Sequence, residues 1–322
     1  MSATTQPTNP EFIYTLRHVT EVAARAAYDW IGRGNKEEGD AAAVDAMRAA
    51  LNQLPFQGTI VIGEGEKDEA PELYKGERLG NGGFEADIAV DPVEGTSYLA
   101  KGLTNAMATI AIAPRGTMFD PGRAFYMEKF AAAPKAKGMI DMSWPVAQKL
   151  EVLAEVLGKR VADLTVYVLE KPRHRQLIED IHGAGARVAL YPAGDVAGAL
   201  MAAIPNSGID ALMGTGGTPE GILSACAIRG LGGEFLGRIN PQLPSETAAV
   251  KAAGLDTHRW YGLEELVGSQ DVLFCATGIT TGLLFDGVER RDDQYRLQTL
   301  MISGTTGERQ ILTSYLPVDG TA

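Results

Sequence analysis

Between Leu164 and Gly278 short β-branched runs alternate with helical patterns, and glycine loops follow several of the runs. "LTVYVLE" reads as a strand, "PRHRQLIEDIHGAG" as a helix with a glycine stop, "ARVALYP" as a strand and "DVAGALMAAIP" as a helix. "IDALMGTGG" then reads as a strand running into a glycine loop, "PEGILSACAIRGLG" as the next helix, and "DVLFCATG" as a late strand. This alternation restricts the chain to an α/β fold, with ligands bound at strand ends. The stretch "RINPQLPSETAAVKAAGLDTHRW" gives weaker signals and reads as a loop plus a short helix.

The first half has the same ingredients in a less regular order. Phe12, Ile13, Leu16, Val19, Val22 and Ala23 recur at helical spacing, and the glycines of "IGRGNK" supply a stop. A second helix, "AAAVDAMRAALNQL", is expected to begin just after Asp40, which on local grounds reads as its N-cap. "GTIVIGEGE", "DIAVDPVEG" and "AMATIAIAP" read as strands, the first two ending in acid.

A length of 322 residues with 45% hydrophobic content gives ample capacity for a core. The formal charge of −12 disfavours nucleic acid and anionic membrane surfaces as partners, because both would be repelled. Metal cations can still invert the field locally and admit anionic substrates. Two cysteines, Cys226 and Cys275, sit in apolar segments, which fits a reducing cytosol rather than a disulfide scaffold. The polar start "MSATTQPTNPEF" lacks the pattern of a secretory signal, and no apolar run is long enough to span a bilayer, so a cytoplasmic location is expected.

Within "DIAVDPVEGT", Asp91 and Glu94 stand three apart and can point at one volume of space, with the Val93 carbonyl between them. Hard cations such as Mg²⁺ and Mn²⁺ seek such oxygens, although an Asp-Pro turn with a solvated glutamate would have the same sequence. Glu64 and Glu66 stand beside Gly63 and Gly65, which let a backbone approach a ligand closely, or they are simply solvated. Glu220 opens a helix, where the dipole favours a carboxylate regardless of function. The same loop fails the dinucleotide fingerprint, since Pro219 stands where the third glycine belongs. The densest basic cluster is "KPRHR", from Lys171 to Arg175, at a strand-to-helix junction, and it suits a phosphate or a solvated surface. His18, His174, His182 and His258 show no zinc-site spacing, and no G-x-S-x-G elbow occurs.

Taken with "GRGNKEEGDAAAVDAMR", "TIVIGEGEKDEAPELY", "FYMEK", "KPRH", "GDVA", "GTGGTPEG" and "FCATGIT", these stretches resemble the class II fructose-1,6-bisphosphatases of bacteria. That family lies within the lithium-sensitive, metal-dependent sugar phosphatases. The resemblance runs from Val19 to Leu284 and implies a layered α/β/α/β/α sandwich. Its expected halves are residues 11–162, carrying most metal ligands, and 163–322, carrying sugar-phosphate contacts and one metal ligand.

The resemblance also implies Asp40, Glu64, Asp91, Glu94 and Glu220 as ligands of Mn²⁺ or Mg²⁺, with Asp40 able to cap its helix as well. Glu94, Gly95 and Thr96 would touch the phosphate, with Thr96 helping to activate water and Asp91 and Glu94 catalytic through the metal. Tyr126, Lys171, Pro172, Arg173, Asp195 and Gly217 would contact the sugar bisphosphate. The implied activity is hydrolysis of the 1-phosphate of fructose 1,6-bisphosphate by a homo-oligomer, with a sedoheptulose bisphosphatase or a silent sugar-phosphate sensor as alternatives. Asn35, Ala193 and Arg175 stand where relatives commonly carry aspartate.

Overall fold

A computed structural model describes residues 10–63 and 73–318. The chain forms two compact α/β units. One joins residues up to Met118 to residues from Ser269 onward, and the other is Phe119–Gly268. This partition differs from halves 11–162 and 163–322, because the strand Leu273–Gly278 pairs with Met107–Pro114 and draws the end of the chain into the first unit.

The first unit is built on an eight-stranded sheet. Its strands run in the order Glu289–Arg291, Gln294–Ser303, Leu273–Gly278, Met107–Pro114, Phe84–Glu94, Phe56–Ile62 and Arg78–Leu79, and Arg309–Pro317 pairs beside Gln294–Ser303. The helix Pro10–Tyr28 lays Leu16, Val19, Ala23 and Ala27 on the core with no exposure, the helical stripe expected of an amphipathic segment. Phe12 closes one end of that core edge-on to Phe56 and Phe84, with ring centroids 5.8 and 5.0 Å away.

Phe84–Glu94 is buried along nearly its whole length, parallel to Phe56–Ile62 and antiparallel to Met107–Pro114. The sequence leaves an Asp91-Pro92 turn as one alternative here. The strand instead continues to Glu94 through a register shift, Asp91 facing Thr109 and Glu94 facing Met107. Pro92 and Val93 therefore oppose Ala108 alone, a bulge that accommodates Pro92, which has no N–H for the ladder.

The second unit carries a six-stranded sheet in the order Tyr261–Gly262, Glu234–Ile239, Tyr126–Ala132, Ala211–Gly217, Thr165–Leu169 and Arg187–Tyr191. The last three strands are parallel neighbours. One sheet face packs on the helices Val146–Leu157 and Arg175–Gly183 through Phe130, Val166, Val168, Leu150, Leu153 and Ile181. On the other face Gly198 of the helix Val196–Ala203 lies against the Tyr167 ring, where a Cβ would come within 2.5 Å. Among the described residues no helix is long and apolar enough to cross a membrane.

Candidate active site

The bulge in the first unit sets two carboxylates side by side. Skipping a register position brings Asp91 and Glu94 to the same neighbourhood, and an oxygen of one lies within 4.8 Å of an oxygen of the other. Asp91 is oriented from behind, its Oδ1 accepting from the Val93 N–H at 3.1 Å. Glu94 is 3% exposed. Gly95 then takes φ 87°, ψ 46°, a left-handed turn closed to most side chains, and starts the short helix Thr96–Lys101. Thr96 is consequently the first helical residue after the carboxylates, and it is half-buried.

Asp40 requires a correction. The helix begins at Lys36 rather than after Asp40, and Asn35 is its N-cap, accepting from the Glu38 N–H at 3.3 Å. Lys36, Glu37 and Glu38 make a serviceable polar first turn with the acids at the dipole's positive end, so Lys36 through Asp40 also join the helix. Asp40 lies half-buried inside it, beside Gly39, where a Cβ would sit 2.7 Å from Leu99 of the helix Thr96–Lys101. The loop before it is tied to that same helix, Gly32 N–H to Leu99 O and Gly34 N–H to Ala100 O, both at 2.8 Å. Asp40 does not complete a set of three with Asp91 and Glu94 at the spacing those two share. Glu64 and Glu66 lie outside the described residues.

The second unit gathers its candidates at one end of its sheet. The carboxyl ends of the parallel strands Thr165–Leu169, Arg187–Tyr191 and Ala211–Gly217 lead into Lys171-Pro172-Arg173, Asp195 and Gly217 respectively. Tyr126 opens the antiparallel strand and pairs with Gly217, so it stands at the same end. Strand carboxyl ends are where open α/β sheets bind ligands. Pro172 starts a 3-10 turn that leads into the helix Arg175–Gly183. Arg173 is exposed, stacks 5.3 Å from the Tyr126 ring centroid, and anchors Nε and Nη2 on the Thr215 carbonyl at 2.9 and 2.7 Å.

His174 is the structural member of "KPRHR". Its Nδ1–H donates to Leu169 O at 2.6 Å, and its Nε2 accepts from the Thr215 N–H at 2.8 Å. Both ring nitrogens are thereby committed to backbone, and burial, reinforced by the Arg173 charge, holds its pKa below the usual histidine value. The ring is neutral and staples two strand ends together.

The glycines of "GTGGTPEG" are explained by side chains beneath them. A Cβ on Gly217 would lie 1.8 Å from Glu220 Oε2, and one on Gly216 would lie 1.9 Å from Asp195 Oδ2. Glu220 stands in the first turn of the helix Thr218–Leu231, with its Oε2 sealed from solvent and lacking a hydrogen bond among the described residues. Burial pushes its pKa up, against the pull of Lys129 and with the repulsion of Asp195. A carboxylate placed this way is uncomfortable without a cation, which makes it a fitting metal ligand.

The profile described as "Bacterial fructose-1,6-bisphosphatase, glpX-encoded" matches residues 10–316. Fructose-1,6-bisphosphatase 1 class 2 of Escherichia coli K12 is 44% identical over 308 residues, covering 91% of each chain. The class 2 enzymes of Escherichia coli O6:H1 and Shigella flexneri match to the same extent. The chain belongs to the bacterial fructose-1,6-bisphosphatase family.

For a family member, two residues that support these candidates are missing from the sequence-derived set. Lys129, in "FYMEK", is 1% exposed and joined by its Nζ to both Asp195 oxygens at 2.9 and 2.7 Å. The available signal was a lysine in a run otherwise turning apolar, "MEKFAAA", which is costly in a core without a partner. Glu246 was also missed. It is 1% exposed and accepts from the N–H groups of Phe125 and Tyr126 at 2.7 and 2.8 Å, which fixes the backbone of Tyr126.

Proposed function

We propose that the chain hydrolyses fructose 1,6-bisphosphate at its 1-phosphate, giving fructose 6-phosphate and phosphate, as a phosphoric monoester hydrolase dependent on Mn²⁺ or Mg²⁺. The observation that carries this is family membership along residues 10–316. Asp40, Glu64, Asp91, Glu94 and Glu220 are assigned as the metal ligands. Support for them comes from oxygen-only chemistry, from the closeness of Asp91 to Glu94, and from the buried, proton-seeking carboxylate of Glu220. Bound divalent cations supply a more acidic water and neutralise charge on the phosphoryl group.

The chain's own residues do the remaining work. Thr96 stands at the head of the helix after Gly95 and is assigned to orient the attacking water, while the backbone of Gly95 and the Glu94 side chain face the phosphoryl group. Lys171 and Arg173 are assigned to the phosphate that stays. Arg173 suits the task because Thr215 and Tyr126 hold its guanidinium plane, leaving less rotamer freedom to lose on binding. Pro172, Tyr126 and Gly217 shape the sugar site, and Asp195 accepts from a sugar hydroxyl. The family resemblance carries with it a cytoplasmic homo-oligomer.

The test is phosphate release from fructose 1,6-bisphosphate by chelator-treated protein, with Mg²⁺ or Mn²⁺ restored and inositol 1-phosphate run alongside. Release from the bisphosphate that returns only with metal is expected. Metal-independent release, or preference for the monophosphate, would overturn the assignment.

A further inference from the structure

Lys129 has no task in the assignment above, and its surroundings show what it is for. An ion pair inside a core loses hydration on both sides, and apolar residues of similar volume often serve stability as well or better. Lys129 and Asp195 nevertheless form such a pair, 1% and 5% exposed. Two independent features show that the fold gives ground to keep it. Asp195 occupies the N-cap of the helix Val196–Ala203 but makes no side-chain cap bond, although aspartate at that position ordinarily accepts from the first-turn N–H groups. The side chain has been turned away from its helix and onto the lysine.

The second feature is the room made for the pair. A Cβ on Gly216 would lie 1.9 Å from Asp195 Oδ2 and 3.1 Å from Lys129 Nζ. This position gives up a side chain so that one carboxylate keeps one orientation. An ionised carboxylate has about four lone-pair sites. Lys129 takes one on each oxygen, which leaves the carboxylate charged, fixed and still able to accept from a neutral donor.

Resting on the proposed function, we propose that Lys129 is a positioning residue that locks Asp195 to accept a hydrogen bond from a ring hydroxyl of the sugar bisphosphate. The pair reads the sugar, whereas Lys171 and Arg173 answer to phosphate. Without Lys129 the carboxylate is free to rotate onto its own helix, and that change removes the acceptor from the sugar.

Turnover of fructose 1,6-bisphosphate with metal is compared in the parent, Lys129→Met, Lys129→Arg and the double variant Lys129→Met/Asp195→Leu. Hexane-1,6-diol bisphosphate, with both phosphates and no ring hydroxyl, serves as the competing ligand. Both compounds are also titrated by calorimetry, so discrimination is read independently of turnover. Loss of a hydrogen bond to a charged acceptor predicts a KM or Kd for the sugar bisphosphate higher by about 10–100-fold in Lys129→Met, with kcat less affected. The diol bisphosphate should keep its affinity within about twofold. Lys129→Arg should recover most of the loss.

The double variant should melt no lower than the parent and, having lost the acceptor itself, sets the full selective loss that Lys129→Met should approach, while Lys129→Arg keeps the test valid where Lys129→Met folds poorly. An unchanged KM in Lys129→Met and the double variant, or equal losses for both ligands, would overturn the role of Lys129. A parent that binds the sugar bisphosphate better than the diol but never releases phosphate would instead overturn the proposed function and leave this role standing.

Discussion

Asp91, half-buried, and His174, buried, are both hydrogen-bonded polar side chains, and their partners separate chemistry from scaffolding. Asp91 uses one oxygen on the Val93 N–H and turns the carboxylate toward Glu94. Asp91→Asn keeps the shape and removes the charge. Turnover should fall by at least about 10³-fold, since metal-assisted electrostatic stabilisation is a large part of such rate enhancements. The melting temperature should stay near that of the parent, and a variant with full activity would remove Asp91 from the ligand set.

His174 makes a prediction with a definite sign in pH. Its folded pKa lies below the unfolded value, so between the two the unfolded chain binds the extra proton. Its contribution to stability is complete above the ordinary histidine pKa of about 6.5 and is lost as pH falls from there toward the folded value. Urea unfolding at pH 7.5 and pH 5.5 should show the parent losing stability on acidification, with a slope from this group of at most about 1.4 kcal/mol per pH unit. His174→Gln should be less stable at pH 7.5 and lose less on acidification. Equal acid sensitivity in the two proteins would mean the imidazole is not the titrating group.

At the scale of elements, the helix Lys36–Leu51 shows what a local pattern hides. Its apolar stripe of Ala43, Val44, Met47 and Leu51 is legible, but its start is not. Asn35 and Asp40 are both good caps by residue type, and the choice between them falls to Gly39, which packs against Trp30 and Leu99 from inside the helix. Asn35→Ala should cost about 0.5–1 kcal/mol, the low end for a cap because the bond is exposed and 3.3 Å long. Asp40→Ala should cost less as a cap change, and thermal melting of the two variants ranks them. The reverse order would return the cap to Asp40.

Other elements escaped for physical reasons too. Tyr126–Ala132 contains glutamate, lysine and a run of alanines, residues that favour helices, and it is held as a strand by neighbours on both sides. Glu234–Ile239 is interrupted by Gly237 and Arg238, and its pairing with Tyr126–Ala132 is visible only in three dimensions. The strand Thr165–Leu169, by contrast, is mostly β-branched and aromatic and reads directly as a strand. The site was legible where chemistry is dense in sequence, at "DPVEGT" and "KPRH". Lys129 and Glu246 were not, because each is defined by a partner at least 66 residues away.

At the scale of the molecule, the core of the second unit is assembled from residues of one continuous stretch. Leu153 is fully buried there among Phe130, Leu150, Val166 and Ile181. Leu153→Ala should cost about 2–5 kcal/mol from lost transfer energy and the cavity left behind. Calorimetry should register the loss as a lower unfolding temperature, and an unchanged midpoint would mean that this core is not what holds the unit together. The same division makes the partition of the chain hard to see in sequence, since nothing local announces that Leu273–Gly278 belongs beside Met107–Pro114.

That distant pairing bears on how the protein comes into being on the ribosome. By the time residue 268 has been added, the six-stranded sheet has every strand it needs, whereas Met107–Pro114 still waits with one edge open for Leu273–Gly278. A nascent chain arrested there, or a message cut short, would display an apolar strand edge of the kind that invites aggregation. The carboxylates of Asp91 and Glu94 are translated early, on the strand next to that edge, yet the sheet that carries them closes only when nearly all of the chain has been made.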